Sequence, residues 1–177
     1  MSILKVARMG HPVLRRPARP LQPSELRSPE VQRLIEDMID TMKEYHGIGL
    51  AAPQVHESLR IFVAGSSDAE AGLPLIVVVN PEITPIGSDT VEDWEGCLSI
   101  PDVRGKVPRA RQIQLRGLDR EGRRLDMKVA GYTARVMQHE TDHLDGILFF
   151  DRMRSFETLS FLEEFGRYWS EQEVTPE

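Results

Sequence analysis

Tyr132-Thr133-Ala134-Arg135-Val136-Met137-Gln138-His139-Glu140-Thr141-Asp142-His143-Leu144-Asp145-Gly146 carries a helix and a metal-binding pattern in one run. Its spacing predicts a helix from about Tyr132 to Asp145, with Thr133 near the start and Gly146 just past the end. His139 and His143 stand at i and i+4. On a helix that puts them on one face with Cβ atoms about 5–6 Å apart, close enough for two imidazoles to converge on one metal ion. Glu140 projects beside them and can act as general base toward a water that the metal activates. The motif is short, and a solvated polar face could hold the same residues.

Two imidazoles do not complete a catalytic site. Such sites usually take three protein ligands and leave a fourth position open. A metzincin pattern would need a histidine ten residues after His139; Gly146 fits it, but Phe149 stands at that position. A zincin of the other common type takes a downstream glutamate, and Glu163 and Glu164 lie at a feasible distance. The remaining candidate is Cys97, in Trp94-Glu95-Gly96-Cys97-Leu98-Ser99-Ile100-Pro101. A lone cysteine is more often a small buried hydrophobe. Here a turn-rich setting and an unfinished metal site favour a thiolate ligand. A purely structural metal would call for a fourth protein ligand. His11, His46 and His56 sit in turns or helix ends and are not expected to supply one.

The rest of the chain frames this stretch. Its 177 residues and 20.1 kDa suit one domain, 1–177, with no linker-like shift in composition and no internal repeat. With 40% apolar and 28% charged residues the composition is that of a globular protein. Twenty-two basic against 28 acidic residues leave a net charge of −6, which argues against a DNA-binding protein. One cysteine cannot close an internal disulfide, no apolar run is long enough to span a bilayer, and no signal-peptide core opens the chain. A soluble, cytoplasmic protein is expected.

Elsewhere, Val31, Leu34, Ile35, Met38, Ile39 and Met42 recur at helical spacing and predict a helix from Pro29 to about His46. Ser28 is its expected N-cap, and Gly47 its stop. Ile61 to Ala64 and Leu75 to Asn80 read as strands, the second as a buried one. Gln112 to Leu118 and Arg124 to Val129 read as a hairpin. A third helix is expected over about Ser155 to Trp169, with Leu162, Phe165 and Trp169 on one stripe. The mixture lacks βαβ alternation, so the fold class is α+β. Gly47-Ile48-Gly49-Leu50-Ala51-Ala52-Pro53-Gln54 reads as a loop whose backbone could approach a ligand closely. It lacks the third glycine of a dinucleotide fingerprint and the ending of a P-loop. Gln54 offers an amide that can donate to a developing oxyanion.

Three segments together resemble the peptide deformylase family: Gly47 to Gln54, Glu95-Gly96-Cys97-Leu98-Ser99, and Gln138-His139-Glu140-Thr141-Asp142-His143. They stand in that family's order and with similar spacing, and the resemblance spans about Ile3 to Met153. It implies small antiparallel or mixed β-sheets packed around a central metal-bearing helix. It implies a hydrolase of protein biosynthesis that removes the N-formyl group from formylmethionine at the start of nascent chains and releases formate. Cys97, His139 and His143 would then hold one divalent metal per chain, Fe²⁺ in the cell, with Zn²⁺, Ni²⁺ or Co²⁺ able to substitute. Glu140 would be the acid–base group, with Gln54 and the backbone N–H of Leu98 as oxyanion donors. Ile48, Gly49 and Val136 are expected at the substrate, with Ile48 and Val136 against the methionine side chain. Arg135, odd on that face, is expected to reach the pocket mouth and meet solvent or substrate. The protein is expected to act as a monomer, with at most a transient ribosome contact, on N-formylmethionyl peptides. The competing expectation is a zincin-type metalloendopeptidase using Glu163 as third ligand.

Overall fold

The computed structural model describes residues 2–65 and 73–170. In chain order its elements are α1 (Pro23–Leu26), α2 (Pro29–Glu44), β1 (Gly49–Ala51), β2 (Ile61–Ala64), β3 (Ile76–Pro85), β4 (Thr90–Cys97) and β5 (Ile100–Ala110). β6 (Gln112–Leu118), β7 (Arg124–Ala130), α3 (Gly131–Leu144), β8 (Ser160–Phe161) and α4 (Leu162–Tyr168) follow. The α+β expectation holds. A five-stranded antiparallel sheet runs β1-β2-β3-β6-β7, and a smaller sheet runs β4-β5-β8.

The five-stranded sheet is sandwiched by the two long helices, and the period of two along its strands shows how. Ile61, Val63, Val77 and Val79 face α2 and meet Ile35, Met38, Ile39 and Met42. Phe62, Ala64 and Val78 face the other way and meet Ala134, Met137 and Leu144 of α3. Strands buried on both faces must be apolar at every position, which is why β2 reads as a continuous run. Each such side chain contributes about 1.5–3 kcal/mol on burial. α2 starts as expected, with Ser28 Oγ accepting from the Val31 N–H at 3.3 Å.

Four expectations need correction. The loop from Gly47 to Gln54 contains β1, which pairs with β2, and then a 3₁₀ turn over Ala52–Val55. The strand expected over Leu75 to Asn80 runs on to Pro85, through an irregularity between Val79 and Glu82. The proline- and glycine-rich stretch from Asn80 to Pro108, for which no strand beyond Asn80 is expected above, holds β4 and most of β5, a long two-stranded ribbon closed by a turn at Leu98 and Ser99. Pro101 and Pro108 are tolerated because β5 has a second partner only at Val103 and Arg104. The third helix is the largest miss. Ser160 and Phe161 give their backbone to the β5 edge, leaving a seven-residue helix with no buried side chain. Of the expected stripe, Phe165 and Trp169 pack on Trp94, while Leu162 stays exposed.

Candidate metal centre

Three elements converge on one point. α3 supplies His139, Glu140 and His143, all buried. The β4–β5 ribbon supplies Cys97, the last residue of β4 before the turn. The 3₁₀ turn after β1 supplies Gln54. The donor atoms of Cys97, His139 and His143 lie within 4.8 Å of one another, and Cys97 Sγ is 3.2 Å from His143 Nε2. Glu163 is elsewhere, on α4, exposed and paired with Arg167. His11 and His56 pack edge-on against each other at 4.7 Å.

The surroundings fix what each group presents. Glu95 Oε2 accepts from His139 Nδ1 at 2.8 Å; a carboxylate only accepts, so the proton is on Nδ1 and Nε2 is left as a ligand atom. Burial opposes a charge on Cys97, but the adjacent His143 and His139 rings outweigh it and hold the thiol well below its usual range. Burial dominates at Glu140 and, against the opposing pull of His139 and His143, pushes its carboxyl up to about 7. Its Oε2 and the Nδ1 of His143 are buried without a hydrogen-bond partner.

A divalent ion fits these residues. One thiolate with two imidazoles is a donor set for Zn²⁺, Fe²⁺, Co²⁺ or Ni²⁺. The thiol is poised to ionise, His139 Nε2 is turned away from Glu95, and the adjacent Glu140 has a buried oxygen without a hydrogen-bond partner. The second donor group is present too. Gln54 Oε1 accepts from the Ala51 N–H at 2.8 Å, which aims its amide nitrogen at Cys97 Sγ (3.4 Å) and Ser99 Oγ (3.2 Å). Gly49 lies against Glu140, where a Cβ would overlap the carboxylate. Ile48 and Val136 pack in the same apolar cluster.

Arg135 does not reach the mouth. It is buried, and its guanidinium donates to Glu95 and to the carbonyls of Val91, Asp93 and Val107. It belongs to a buried ionic network that the motifs alone did not reveal. Arg109 donates to both oxygens of Glu95, at 2.8 and 2.9 Å, and also to Asp142, which Arg152 holds from the other side. The missing signal was strand alternation. With Thr90 to Cys97 read as a strand, Glu95 and Cys97 fall on one face, and a carboxylate beside a metal ligand follows.

Comparison with known proteins gives a consistent result. The family model described as polypeptide deformylase matches residues 3–158. A curated relative, peptide deformylase 1 of Nitrosomonas europaea, is 45% identical over 153 residues, covering 83% of this chain and 85% of that protein. The crystal structure of peptide deformylase from Thermus thermophilus is similar at 47% identity and a TM-score of 0.76, covering 85% of this chain and 86% of that one. A Met-Ala-Ser-bound class I type b peptide deformylase from Acinetobacter baumannii is similar at 38% identity and a TM-score of 0.80, covering 86% of this chain and 99% of that one.

Proposed function

The chain belongs to the peptide deformylase family, and we propose that Cys97, His139 and His143 hold the divalent metal with which it deformylates formylmethionyl peptides. Removal of the N-formyl group from new polypeptides is the activity of the chain, and the zincin alternative is not favoured. The observation that carries the site assignment is the convergence of three buried donors beside a buried carboxylate with a partnerless oxygen. Because these residues come from the smaller sheet and from α3, which packs on the larger sheet, we read the chain as one catalytic domain.

Held by Cys97, His139 and His143, a divalent metal would supply Lewis-acid activation of the attacking water. Glu140 takes the proton of that water and later delivers it to the departing amine. Burial raises that carboxyl above the usual carboxylate range, the direction that favours a group which must hold a proton before giving it up. Attack on the formyl carbon breaks its bond to nitrogen, so formate and a free methionyl amine leave. The Gln54 amide and the Leu98 N–H donate to the oxygen that gains charge. Ile48 and Val136 line the methionine side chain, and Gly49 lets the peptide backbone pass close to Glu140.

We further propose Fe²⁺ as the metal in the cell. A thiolate beside Fe²⁺ is open to oxidation, so activity should decay in air and persist with Ni²⁺ or Co²⁺. A cytoplasmic monomer with a transient ribosome contact, through a local patch or the segment after Arg154, completes the proposal. The last seven residues of that segment lie outside those described. Among the described residues no helix is long and apolar enough to cross a membrane.

The test is formate release from formyl-Met-Ala-Ser by protein purified without oxygen, with metal assayed. Glu140→Ala should lower kcat by roughly 10²–10⁴-fold with metal retained and KM little changed. Cys97→Ser should lose metal, and Glu163→Gln should not. Wild-type turnover by Glu140→Ala with metal bound would sink the acid–base assignment.

A further inference from the structure

Arg135 shares the face of α3 that carries His139, yet every contact of its guanidinium points into the protein. Nη1 donates to Glu95 Oε1 at 2.8 Å and to the Val107 carbonyl at 2.7 Å, with the Asp93 carbonyl at 3.3 Å. Nη2 donates to the Val91 carbonyl at 2.7 Å. Val91 and Asp93 belong to β4 and Val107 to β5, so one side chain ties α3 to both strands of the ribbon.

Charge balance does not explain it. Glu95 is already matched by Arg109, whose Nε and Nη2 donate to its two oxygens. A second buried guanidinium on the same carboxylate costs desolvation and adds little neutralisation. What Arg135 adds is geometry. The Arg109 guanidinium holds the Glu95 carboxylate from β5 and bonds Asp142 on α3, but it makes no hydrogen bond to the backbone of β4, the strand that carries both Glu95 and Cys97. Arg135 grips that strand at two carbonyls while holding Glu95 Oε1. The other oxygen, Oε2, meets His139 Nδ1 at 2.8 Å.

We propose that Arg135 is a positioning residue of the metal centre. It holds β4 against α3 so that Glu95 keeps the His139 ring turned with Nε2 inward, in register with Cys97. This rests on the assignment of Cys97, His139 and His143 as metal ligands. Its guanidinium is buried, and both Nη atoms are bonded within the protein.

The experiment titrates Co²⁺ into metal-free protein and follows the visible spectrum of the thiolate-bound ion, with affinity set by competition against a chelator. Arg135→Met should weaken Co²⁺ binding by about 10–100-fold and change the spectrum. Met38→Ala, a cavity in the α2 core, is the control for lost stability and should leave both unchanged. Arg135→Lys, which can reach Glu95 but cannot also span three carbonyls, should fold and still bind Co²⁺ several-fold more weakly. Wild-type affinity and spectrum in Arg135→Met, or an equal loss in Met38→Ala, would overturn the proposal. If Arg135→Met does not fold, Arg135→Lys decides: wild-type binding overturns the proposal and weaker binding with an altered spectrum supports it. Both readouts are taken without substrate. A wild-type protein that binds Co²⁺ but releases no formate therefore counts against the deformylase reading alone.

Discussion

α2 and α3 lie on opposite faces of one sheet, and they are held there by different physics. α2 presents Ile35, Met38, Ile39 and Met42 to the strands, with its polar side mostly in solvent. α3 buries ten of its fourteen residues, and six of those are polar or charged: Arg135, His139, Glu140, Thr141, Asp142 and His143. An apolar contact tolerates small displacements, because it has no direction. A buried network of guanidiniums and carboxylates does not, because each unmade bond costs about 1–3 kcal/mol or more for a charged group. The side of the sheet that must place ligand atoms to a fraction of an ångström is the side built from directional bonds.

The sharpest way to break that contrast is Arg109→Met. It removes both bonds to Glu95 and the one to Asp142 while keeping an apolar stem. Leaving buried carboxylates short of a partner should cost about 3–5 kcal/mol. Metal affinity should fall with it, since Glu95 orients His139. Urea unfolding together with metal content checks both. A stability loss with unchanged metal binding would mean that the network supports the fold but not the centre.

Met38→Ala asks the same of α2. Met38 is fully buried, and truncation should cost about 2–5 kcal/mol through lost transfer energy and a cavity. Below the unfolding transition, metal content and turnover per folded molecule should match wild type. A loss of metal here would show that the two faces are mechanically coupled through the sheet, and the contrast would fail.

The same division decided what could be read from sequence. The α2 stripe was plain, because apolar spacing of three and four needs no knowledge of the partner. β6 and β7 were legible for the same kind of reason, a partial period of two between turn residues, and β2 as a short continuous apolar run. The proposed metal ligands stood out by residue type: His139 and His143 at i and i+4, and Cys97 as the lone thiol. The partners of those ligands did not. Glu95, Arg109 and Arg135 meet only when β4, β5 and α3 are assembled, at sequence separations that no local period reports. Arg135 was misplaced because a charged residue is ordinarily expected to reach water, and here three carbonyls and a carboxylate replace the water. Ser155 to Phe161 failed because a sheet edge, not intrinsic helix preference, takes the backbone of Ser160 and Phe161.

Acid should reveal the network in a graded way. Burial alone would raise the Glu95 carboxyl, but the bonds from Arg109 and His139 outweigh it and hold it well below the usual carboxylate range. A group depressed in the folded state contributes stability above its unfolded value and loses it as pH falls toward the folded value. Between about pH 4.3 and the folded value, Glu95 should therefore cost about 1.4 kcal/mol of stability per pH unit. Glu95→Gln should be less stable at pH 6 and show a flatter decline below pH 4. Parallel declines for the two proteins would place the acid sensitivity in other carboxylates.

The smallest expected effects separate how the two helices begin. α2 opens on a side-chain cap, Ser28 Oγ to the Val31 N–H. α3 has no such cap: it follows β7 directly, and Gly131 takes φ +62° where the chain turns from strand to helix. Ser28→Ala removes a hydrogen bond and should cost about 1 kcal/mol. Gly131→Ala adds a methyl group that meets nothing within 4 Å, so its whole cost is the left-handed backbone, about 1–2 kcal/mol. Chemical denaturation resolves both, and neither should change the Co²⁺ spectrum, since the cap and the turn lie at helix ends away from the ligands. A changed spectrum in Gly131→Ala alone would mean that the start of α3 sets the height of His139 and His143 against Cys97. The placing of the ligands would then begin at the strand-to-helix turn, ahead of the ionic network.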